Sequence, residues 1–218
     1  HKAFIFDLDG VIVDTAHFHF LAWKKTAAEL GFELTEALNE KLKGVSRIDS
    51  LQKILDWAGV SITMEKFNTL TREKNEDYLA YVNTMTKSDI LPGVHGFISE
   101  LKADGYPMAL GSASKNAPAI LEKVGLLHFF DTIVDGNSVA KAKPDPEVFL
   151  VAARQLDAKP HECIVFEDSE AGIEAANAAG MVSIGLGSPE VLYHADYVFP
   201  DFNHININFV KQLQPKVK

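Results

Sequence analysis

A run of apolar, β-favouring residues over 2–7 opens the chain, and an acidic pair ends it. This pattern predicts a short buried strand. The period of the pattern then changes. Apolar residues recur at steps of three and four, at Phe20, Trp23, Ala27 and Leu30. This spacing indicates a helix, and Gly31 directly behind it is a helix stop.

Helical patterning continues to about residue 89. Further helices are predicted after Thr35, Ser46 and Thr63. Strand patterning is not convincing anywhere between 15 and 89. We therefore expect this stretch to be almost entirely helical.

From Leu91-Pro92-Gly93 onward, strand and helix patterns alternate. Strand-like runs at 108–110, 133–134, 164–166 and 182–184 are separated by helical patterns over 117–124, 145–156 and 170–179. Such alternation predicts a parallel sheet with helices on both faces. The first strand must join this sheet, because it is not stable alone. The expected fold is a doubly wound α/β core formed by 1–14 and 90–218, with an inserted α-helical cap domain at 15–89.

Composition narrows the classes of function. A length of 218 residues suits one domain, or a domain with a smaller insert. The formal net charge of -9 leaves no basic surplus for binding nucleic acid. A single cysteine, Cys163, excludes an internal disulfide and fits a reducing compartment. No apolar stretch approaches the ~18 residues that span a membrane, and no signal-peptide pattern precedes the first strand, so we expect a cytosolic protein.

Chemically competent side chains follow the predicted strands. They are Asp7 and Asp9, Ser112 and Ser114, Lys143, and Glu167 and Asp168. In open parallel sheets, ligands bind beyond the carboxyl ends of the strands. Four separate segments therefore converge on one edge of the sheet, and this convergence predicts an active site.

Two carboxylates two residues apart suit phosphoryl transfer assisted by magnesium. Asp7, Glu167 and Asp168 offer the hard oxygen ligands that Mg²⁺ prefers, and Asp9 offers a backbone carbonyl. As nucleophile, Asp7 would form an aspartyl-phosphate. Asp9 would protonate the leaving oxygen and later deprotonate the acceptor.

Two further groups complete the predicted chemistry. Ser112 would donate a hydrogen bond to a transferring phosphoryl oxygen, and Lys143 would neutralise charge and hold the nucleophile in place.

Each segment alone also has a plainer interpretation. Asp-x-Asp-Gly is common in turns and calcium loops, but an EF-hand loop starting at Asp7 would place Phe18 where glutamate is required. Ser112 and Ser114 would serve equally as turn or N-cap residues. Glu167 would suit a helix N-terminus. Taken jointly and in this order, the segments favour the active site.

The segments 6–15, 112–114, 143–144 and 167–169 resemble the four motifs of the haloacid dehalogenase superfamily. The helical stretch at 15–89 is similar to that superfamily's cap. The resemblance implies the α/β fold, dependence on Mg²⁺ and the roles given above for the matching positions.

The loop 42–51 is similar to the cap loop of the β-phosphoglucomutases, and 114–116 matches that family's core phosphate contact. The substrate-binding residues that this resemblance implies are Lys43, Gly44, Val45, Arg47, Lys74, Ala113, Ser114, Lys115 and Asn116. Arg47 would offer a fork of donors to a second phosphate, which Lys115 and Asn116 would approach from the core. No role is assigned to Ile48.

Three more residues resemble residues that have functional roles in that family. His19 and Lys74 would couple the cap to Asp9, and Thr15 would lie at the hinge. For His19, a packing role in a partly buried position stays open. His17 and His19 are two residues apart, so on a helix they point in different directions and make a poor metal pair.

The resemblance implies conversion of β-glucose 1-phosphate to glucose 6-phosphate through an aspartyl-phosphate and a glucose 1,6-bisphosphate. A small sugar phosphate is the expected partner, and a monomer is the expected form. The alternative is a magnesium-dependent sugar-phosphate phosphatase on the same scaffold. Only the loop with Arg47 favours the mutase over this phosphatase. A non-catalytic phosphosugar-binding protein is expected to lack Asp7 or Asp9, and both are present.

Overall fold

The computed structural model describes residues 1–217, in which six parallel strands form one sheet. The strands are β1 (Ala3–Phe6), β2 (Met108–Gly111), β3 (Thr132–Val134), β4 (Cys163–Glu167), β5 (Val182–Leu186) and β6 (Tyr197–Phe199). Their order across the sheet is β3-β2-β1-β4-β5-β6. The winding therefore reverses at β1, and the carboxyl end of β1 is the switch point at which such sheets bind ligands.

Nine α-helices accompany the sheet in the described part of the chain. They are α1 (Ala16–Glu29), α2 (Glu36–Glu40), α3 (Arg47–Ala58), α4 (Met64–Val82), α5 (Val94–Ala103), α6 (Ala117–Val124), α7 (Glu147–Gln155), α8 (Glu170–Ala178) and α9 (Ile207–Gln212). The predicted starts of α2, α3 and α4 are confirmed by their caps. The hydroxyls of Thr35, Ser46 and Thr63 each accept a hydrogen bond from a backbone N–H in the first turn.

Side chains of β1 point alternately to the two faces of the sheet, and each face packs against a hydrophobic core. Phe4 and Phe6 pack into the larger cluster with residues of α5 and α6. Ala3 and Ile5 face the opposite side and pack with residues of α7 and α8. All four side chains are fully buried. Helices thus cover both faces, and the predicted doubly wound α/β fold is confirmed.

Residues 15–89, the helical insertion, contain α1 to α4 joined by turns. Many of its apolar side chains form a separate cluster around Trp23, Leu51 and Leu70, whereas Tyr78, Val82 and Met85 pack into the larger cluster of the sheet. The chain enters and leaves the insertion at adjacent points. The backbone N–H of Asp14 donates to the carbonyl of Asp89 at 3.0 Å.

Two elements, helix α5 and strand β6, were not predicted from the sequence. Helix α5 begins directly after the Pro92-Gly93 turn, and its buried residues have helical spacing (Val94, Phe97, Ile98 and Leu101). Strand β6 is three residues long at the edge of the sheet and has no fully buried side chain, so it lacks the apolar run that marks the other strands. Among the helices of residues 1–217, none has the length and apolar character to cross a membrane.

Candidate active site

The predicted catalytic side chains meet at the carboxyl edge of the sheet. Asp7 directly follows β1, Ser112 directly follows β2, and Asp168 directly follows β4. The three strands are neighbours in the sheet, so their ends bring these residues together. Asp7 and Ser112 are buried.

Lys143 lies at the centre of this cluster with its ammonium group fully enclosed. Its Nζ is 3.1 Å from Asp7 Oδ1, 2.6 Å from Glu167 Oε1 and 3.0 Å from the carbonyl oxygen of Gly111. Burial alone would lower the pKa of Lys143, but the carboxylates of Asp7 and Glu167 raise it above its ordinary value. The lysine is therefore a fixed cation that holds one oxygen of Asp7.

Glu167 holds the loop of Asp168 and Ser169 in place through hydrogen bonds. Its Oε2 accepts hydrogen bonds from the backbone N–H groups of Asp168 and Ser169 and from the Ser169 hydroxyl, at 2.9 to 3.1 Å. A Cβ at Gly172, in the first turn of α8, would overlap this carboxylate. The glycine thus makes room for the buried glutamate.

Carboxylate oxygens of Asp7, Glu167 and Asp168 lie within 4.8 Å of one another. Three buried or half-buried carboxylates face one lysine, and the pKa of Asp7 is raised by burial and by Glu167. The same two causes raise the pKa of Asp168 to about 8. Hard oxygen ligands with uncompensated negative charge fit a divalent metal ion. Oε2 of Glu167 accepts three hydrogen bonds and Oε1 accepts one, from Lys143, so Oε1 is the less committed oxygen of that residue for such an ion.

Gly10 explains how close the first loop comes to this cluster. Its φ of +77° is in the left-handed region, and a Cβ there would overlap the Asp168 carboxylate. Glycine satisfies both requirements, since it tolerates positive φ and leaves room for the approaching side chain.

Three donors converge on one oxygen of Asp9. The hydroxyl of Thr15 donates to Oδ1, Tyr78 Oη lies 3.1 Å from it, and His19 Nε2 lies 3.2 Å from it. Burial would raise the pKa of Asp9, but His19 and the hydrogen bonds from all three residues outweigh burial and lower it to about 2. Asp9 is therefore held as an anion in the described conformation.

Lys74 is joined to Asp9 through His19. Lys74 Nζ is 2.8 Å from His19 Nδ1 and lies 4.7 Å from the centre of the Trp23 ring. Burial and the charge of Lys74 lower the pKa of His19, so the neutral imidazole accepts at Nδ1 and donates at Nε2. Burial lowers the pKa of Lys74 itself to about 7.

Tyr78 is the residue of this arrangement that the sequence analysis did not identify as functional. Its ring is fully buried. The ring also stacks on His19 with centroids 4.0 Å apart, while the hydroxyl reaches Asp9. Hydropathy patterning detects the buried ring but carries no signal for the hydrogen bond at its tip.

The segment 112–116 forms a tight turn of the kind that suits an anion. Ser112 Oγ accepts from the backbone N–H of Ser114, and Ser114 Oγ accepts from that of Asn116, both at 3.1 Å. Ala113 is half-buried between them, and Lys115 is exposed. The segment leads into the N-terminus of α6, where the helix dipole favours negative charge.

The loop 42–46 of the insertion lies against the same edge of the sheet. Lys43 Nζ is 2.8 Å from Glu40 and 4.0 Å from Asp168. Gly44 has a φ of +74°, and a Cβ there would overlap the Ser169 hydroxyl. The contact places the insertion directly on the loop that carries Glu167 and Asp168.

The remaining loop residues differ in exposure. Val45 and Arg47 are half-buried, whereas Ile48 is 61% exposed. Burial lowers the pKa of Arg47, and its charge contributes to lowering those of His19 and Lys74. Arg47 thus lies close enough to the Asp9 arrangement for its charge to be felt there.

A cavity of about 310 Å³ adjoins the metal-ligand candidates on the side of Lys43 and Glu40. Asp168 and Gly10 line it where the sheet and the insertion face each other, and Leu186 and Leu192 form its apolar wall.

Comparison with known proteins agrees with this geometry. Residues 1–180 match the family model of haloacid dehalogenase-like hydrolases. The chain is 40% identical to a β-phosphoglucomutase of Bacillus subtilis, over 97% of this chain and 94% of that protein. It is 32% identical to a fructose-1-phosphate phosphatase of Escherichia coli, over 85% of this chain and 96% of that one.

A solved structure gives the same result for the fold. The crystal structure of a β-phosphoglucomutase from Clostridium difficile is 39% identical and superposes with a TM-score of 0.92, covering 97% of this chain and 96% of that chain. The four motif segments, their convergence at the carboxyl edge of the sheet and the match over residues 1–180 lead to one conclusion. The chain belongs to the haloacid dehalogenase-like hydrolase family.

Proposed function

We propose that this protein is a β-phosphoglucomutase, which interconverts β-D-glucose 1-phosphate and glucose 6-phosphate through an aspartyl-phosphate and a glucose 1,6-bisphosphate. The observation that carries the proposal is the way in which Asp9 is held. Two of its three donors, His19 and Tyr78, belong to helices of the insertion. Asp9 is therefore in position only when the insertion rests on the sheet.

This dependence favours transfer between sugars over hydrolysis. A closed insertion excludes water from the phosphorylated aspartate, and an open one leaves Asp9 without its partners. Residues 15–89 would thus act as a cap domain over a core of 1–14 and 90–218, with Thr15 at the hinge. The 40% identity to the Bacillus β-phosphoglucomutase supports the same activity.

The residues divide the reaction between them. Lys143 holds Oδ1 of Asp7, which leaves Oδ2 to carry the phosphoryl group. Asp9 starts as an anion, so it acts first as a base and takes the proton of the sugar hydroxyl as that oxygen bonds to phosphorus and the bond to Asp7 breaks. It keeps this proton while the bisphosphate turns over. Asp9 then delivers the proton to the sugar oxygen that leaves when Asp7 attacks the other phosphate.

The expected metal is Mg²⁺, which would be held by Asp7, Asp168, the Asp9 carbonyl and Oε1 of Glu167. When bound, it neutralises charge on the transferring phosphoryl group. Ser112 donates to the same group from the β2 side. Each role matches a residue that already lies at the carboxyl edge of the sheet.

The second phosphate is assigned to groups on both sides of the cleft. Arg47 approaches from the insertion, and Ser114, Lys115 and Asn116 approach from the core. Guanidinium and ammonium groups bind phosphate strongly when water is excluded. Lys43, Gly44 and Val45 would shape the loop that closes on the sugar, and Lys74 would orient His19. A monomer in the cytosol is the simplest setting for this activity.

A sugar-phosphate phosphatase is the second candidate, because a phosphatase of E. coli is 32% identical to this chain. A two-channel assay separates the candidates. With Mg²⁺, β-glucose 1-phosphate and a trace of the bisphosphate, we expect glucose 6-phosphate to form faster than free phosphate. Free phosphate as the main product would instead establish the phosphatase.

Two variants assign the residues in the same assay. Asp7→Asn should abolish both products and the labelling of the protein by acetyl phosphate, because the nucleophile is lost. Arg47→Ala should lower sugar-phosphate turnover but leave that labelling largely intact. Unchanged turnover in Arg47→Ala would contradict the assignment of the second phosphate.

A further inference from the structure

Asn116 occupies the residue before α6 but uses its side chain elsewhere. Asparagine at that position ordinarily accepts a hydrogen bond from a backbone N–H of the first turn. Within the described residues, the Asn116 side chain makes no such cap. Its Nδ2 instead donates to Asn75 Oδ1 at 3.1 Å, across to the helical insertion.

Asn75 is also unusual for its place. It lies inside α4, eleven residues after the helix begins at Met64, and asparagine is among the weaker helix formers. Its short amide side chain is half-buried at the contact with Asn116. An asparagine that does not cap its own helix and an asparagine inside a helix thus meet each other, which indicates that the contact has a use beyond the stability of either helix.

The contact connects the two halves of the proposed site. Asn75 directly follows Lys74, and successive residues of a helix point about 100° apart. Lys74 reaches His19 and so the Asp9 arrangement, while Asn75 reaches the turn at 114–116. One turn of α4 therefore holds groups on both sides of the space expected for the sugar phosphate.

We propose that Asn75 is a positioning residue for the phosphate that does not react. The side-chain amide of Asn116 has two N–H donors, and one of them donates to Asn75 Oδ1. The second N–H of Asn116 is then held in a fixed orientation beside Ser114 and Lys115, ready to donate to a phosphate oxygen. The inference rests on the proposed function, because it concerns the same sugar-phosphate site.

Loss of the preorganised Asn116 donor should weaken phosphate binding by a measurable factor. A hydrogen bond of this kind changes an equilibrium by about 3- to 10-fold. Asn75→Ala should therefore raise the KM for β-glucose 1-phosphate by about that factor, with a smaller effect on kcat. Labelling of Asp7 by acetyl phosphate should stay unchanged, since that small donor does not need the second phosphate site.

A double-mutant cycle tests the coupling directly. The four proteins are the wild type, Asn75→Ala, Asn116→Ala and the double variant. We expect Asn75→Ala to have no further effect on KM once Asn116 is alanine. Asn68→Ala, an exposed asparagine on the same helix, is the matched control and should leave KM unchanged.

A binding measurement keeps this test separate from the proposed function. With Asp7 first saturated by beryllium fluoride and Mg²⁺, calorimetric titration of inorganic phosphate reports on the second phosphate site. The same cycle should show weaker phosphate binding in Asn75→Ala and no added loss in the double variant. Independent, multiplying effects of the two substitutions, or no effect of Asn75→Ala, would overturn the inference. A wild-type protein that binds phosphate in this way but does not isomerise the sugar phosphate would refute only the proposed function.

Discussion

Asp9 shows how a single side chain joins the two parts of the molecule. Three donors meet its Oδ1 atom, from Thr15, His19 and Tyr78, so its other carboxylate oxygen is left for proton exchange with a substrate. Lys74 fixes the tautomer of His19 from behind. Charged hydrogen bonds of this kind position a group more firmly than neutral ones.

Tyr78→Phe tests whether the tyrosine hydroxyl contributes to catalysis. The substitution removes one donor to a carboxylate but keeps the buried ring and its stacking on His19. We expect kcat to fall about 10- to 150-fold, because a hydrogen bond to a charged group contributes about 1.5–3 kcal/mol.

Tyr81→Phe is the control for this change. Tyr81 is on the same helix and stacks on Phe18 with ring centroids 5.1 Å apart. We expect its kcat to match that of the wild type. Equal kcat values for both variants would show that Tyr78 serves only the packing.

At the scale of elements, strand ends and helix starts form the site together. Strand β4 ends in Glu167, and α8 begins three residues beyond it at Glu170, after its cap, Ser169. Ser169 both caps the helix and donates to Glu167. The helix start and the carboxylate thus hold each other in place, and Gly172 is the residue that allows the close approach.

Gly172→Ala should destabilise the protein although alanine is the better helix former. The new Cβ would overlap the Glu167 carboxylate, and overpacking of this kind costs about 1–3 kcal/mol. Urea unfolding would measure the change in the free energy of unfolding. The affinity for Mg²⁺ should also fall, because the overlapped carboxylate is part of the metal cluster.

Gly96→Ala provides the opposite expectation within the same fold. Gly96 is in α5, and a Cβ there would meet open space among the described residues. This substitution should stabilise the protein by about 0.5–1 kcal/mol. A Gly172→Ala variant as stable as Gly96→Ala would contradict the packing described for Glu167.

The same comparison of elements shows what a sequence can and cannot predict. The strands before Asp7, Ser112 and Asp168 were predicted because their apolar runs are buried on both faces of the sheet. Contacts that cross from the insertion to the core, such as that of Asn75 with Asn116, were not predicted. They depend on how two separately patterned segments meet, and hydrophobic periodicity reports only which face of each segment is buried.

At the scale of the whole molecule, charge determines how the metal cluster affects stability. The chain carries a formal net charge of -9, and three of its carboxylates are gathered around Lys143. In the metal-free protein, burial raises the pKa of Asp168 to about 8, with Glu167 the next cause. The folded protein therefore retains a proton on Asp168 that the unfolded chain releases at a lower pH.

A pH series with and without Mg²⁺ tests this linkage. Between about pH 4 and pH 8, the metal-free folded state binds more protons than the unfolded chain, so Asp168 makes the free energy of unfolding fall as pH rises. Mg²⁺ stabilises the ionised carboxylates and should reverse this contribution. At an ion concentration 100 times the Kd, the gain in the free energy of unfolding should be about 2.7 kcal/mol.

Asp168→Asn is the variant that isolates the effect. It should lose most of the stabilisation by Mg²⁺ and flatten the pH dependence of the metal-free protein in that range. Calorimetric unfolding at each pH provides the measurement. Equal stabilisation of the wild type and Asp168→Asn by Mg²⁺ would place the ion elsewhere.

The junction between sheet and insertion has a further consequence. Val13 and Ile90 form an antiparallel bridge, and Leu91 N–H donates to the carbonyl of Ile12 at 3.0 Å. The core chain is thus already closed on itself beneath the insertion. A segment exchanged at this junction would leave the strand order and Asp7 unchanged, but it would have to bring its own partners for Asp9 in place of His19 and Tyr78.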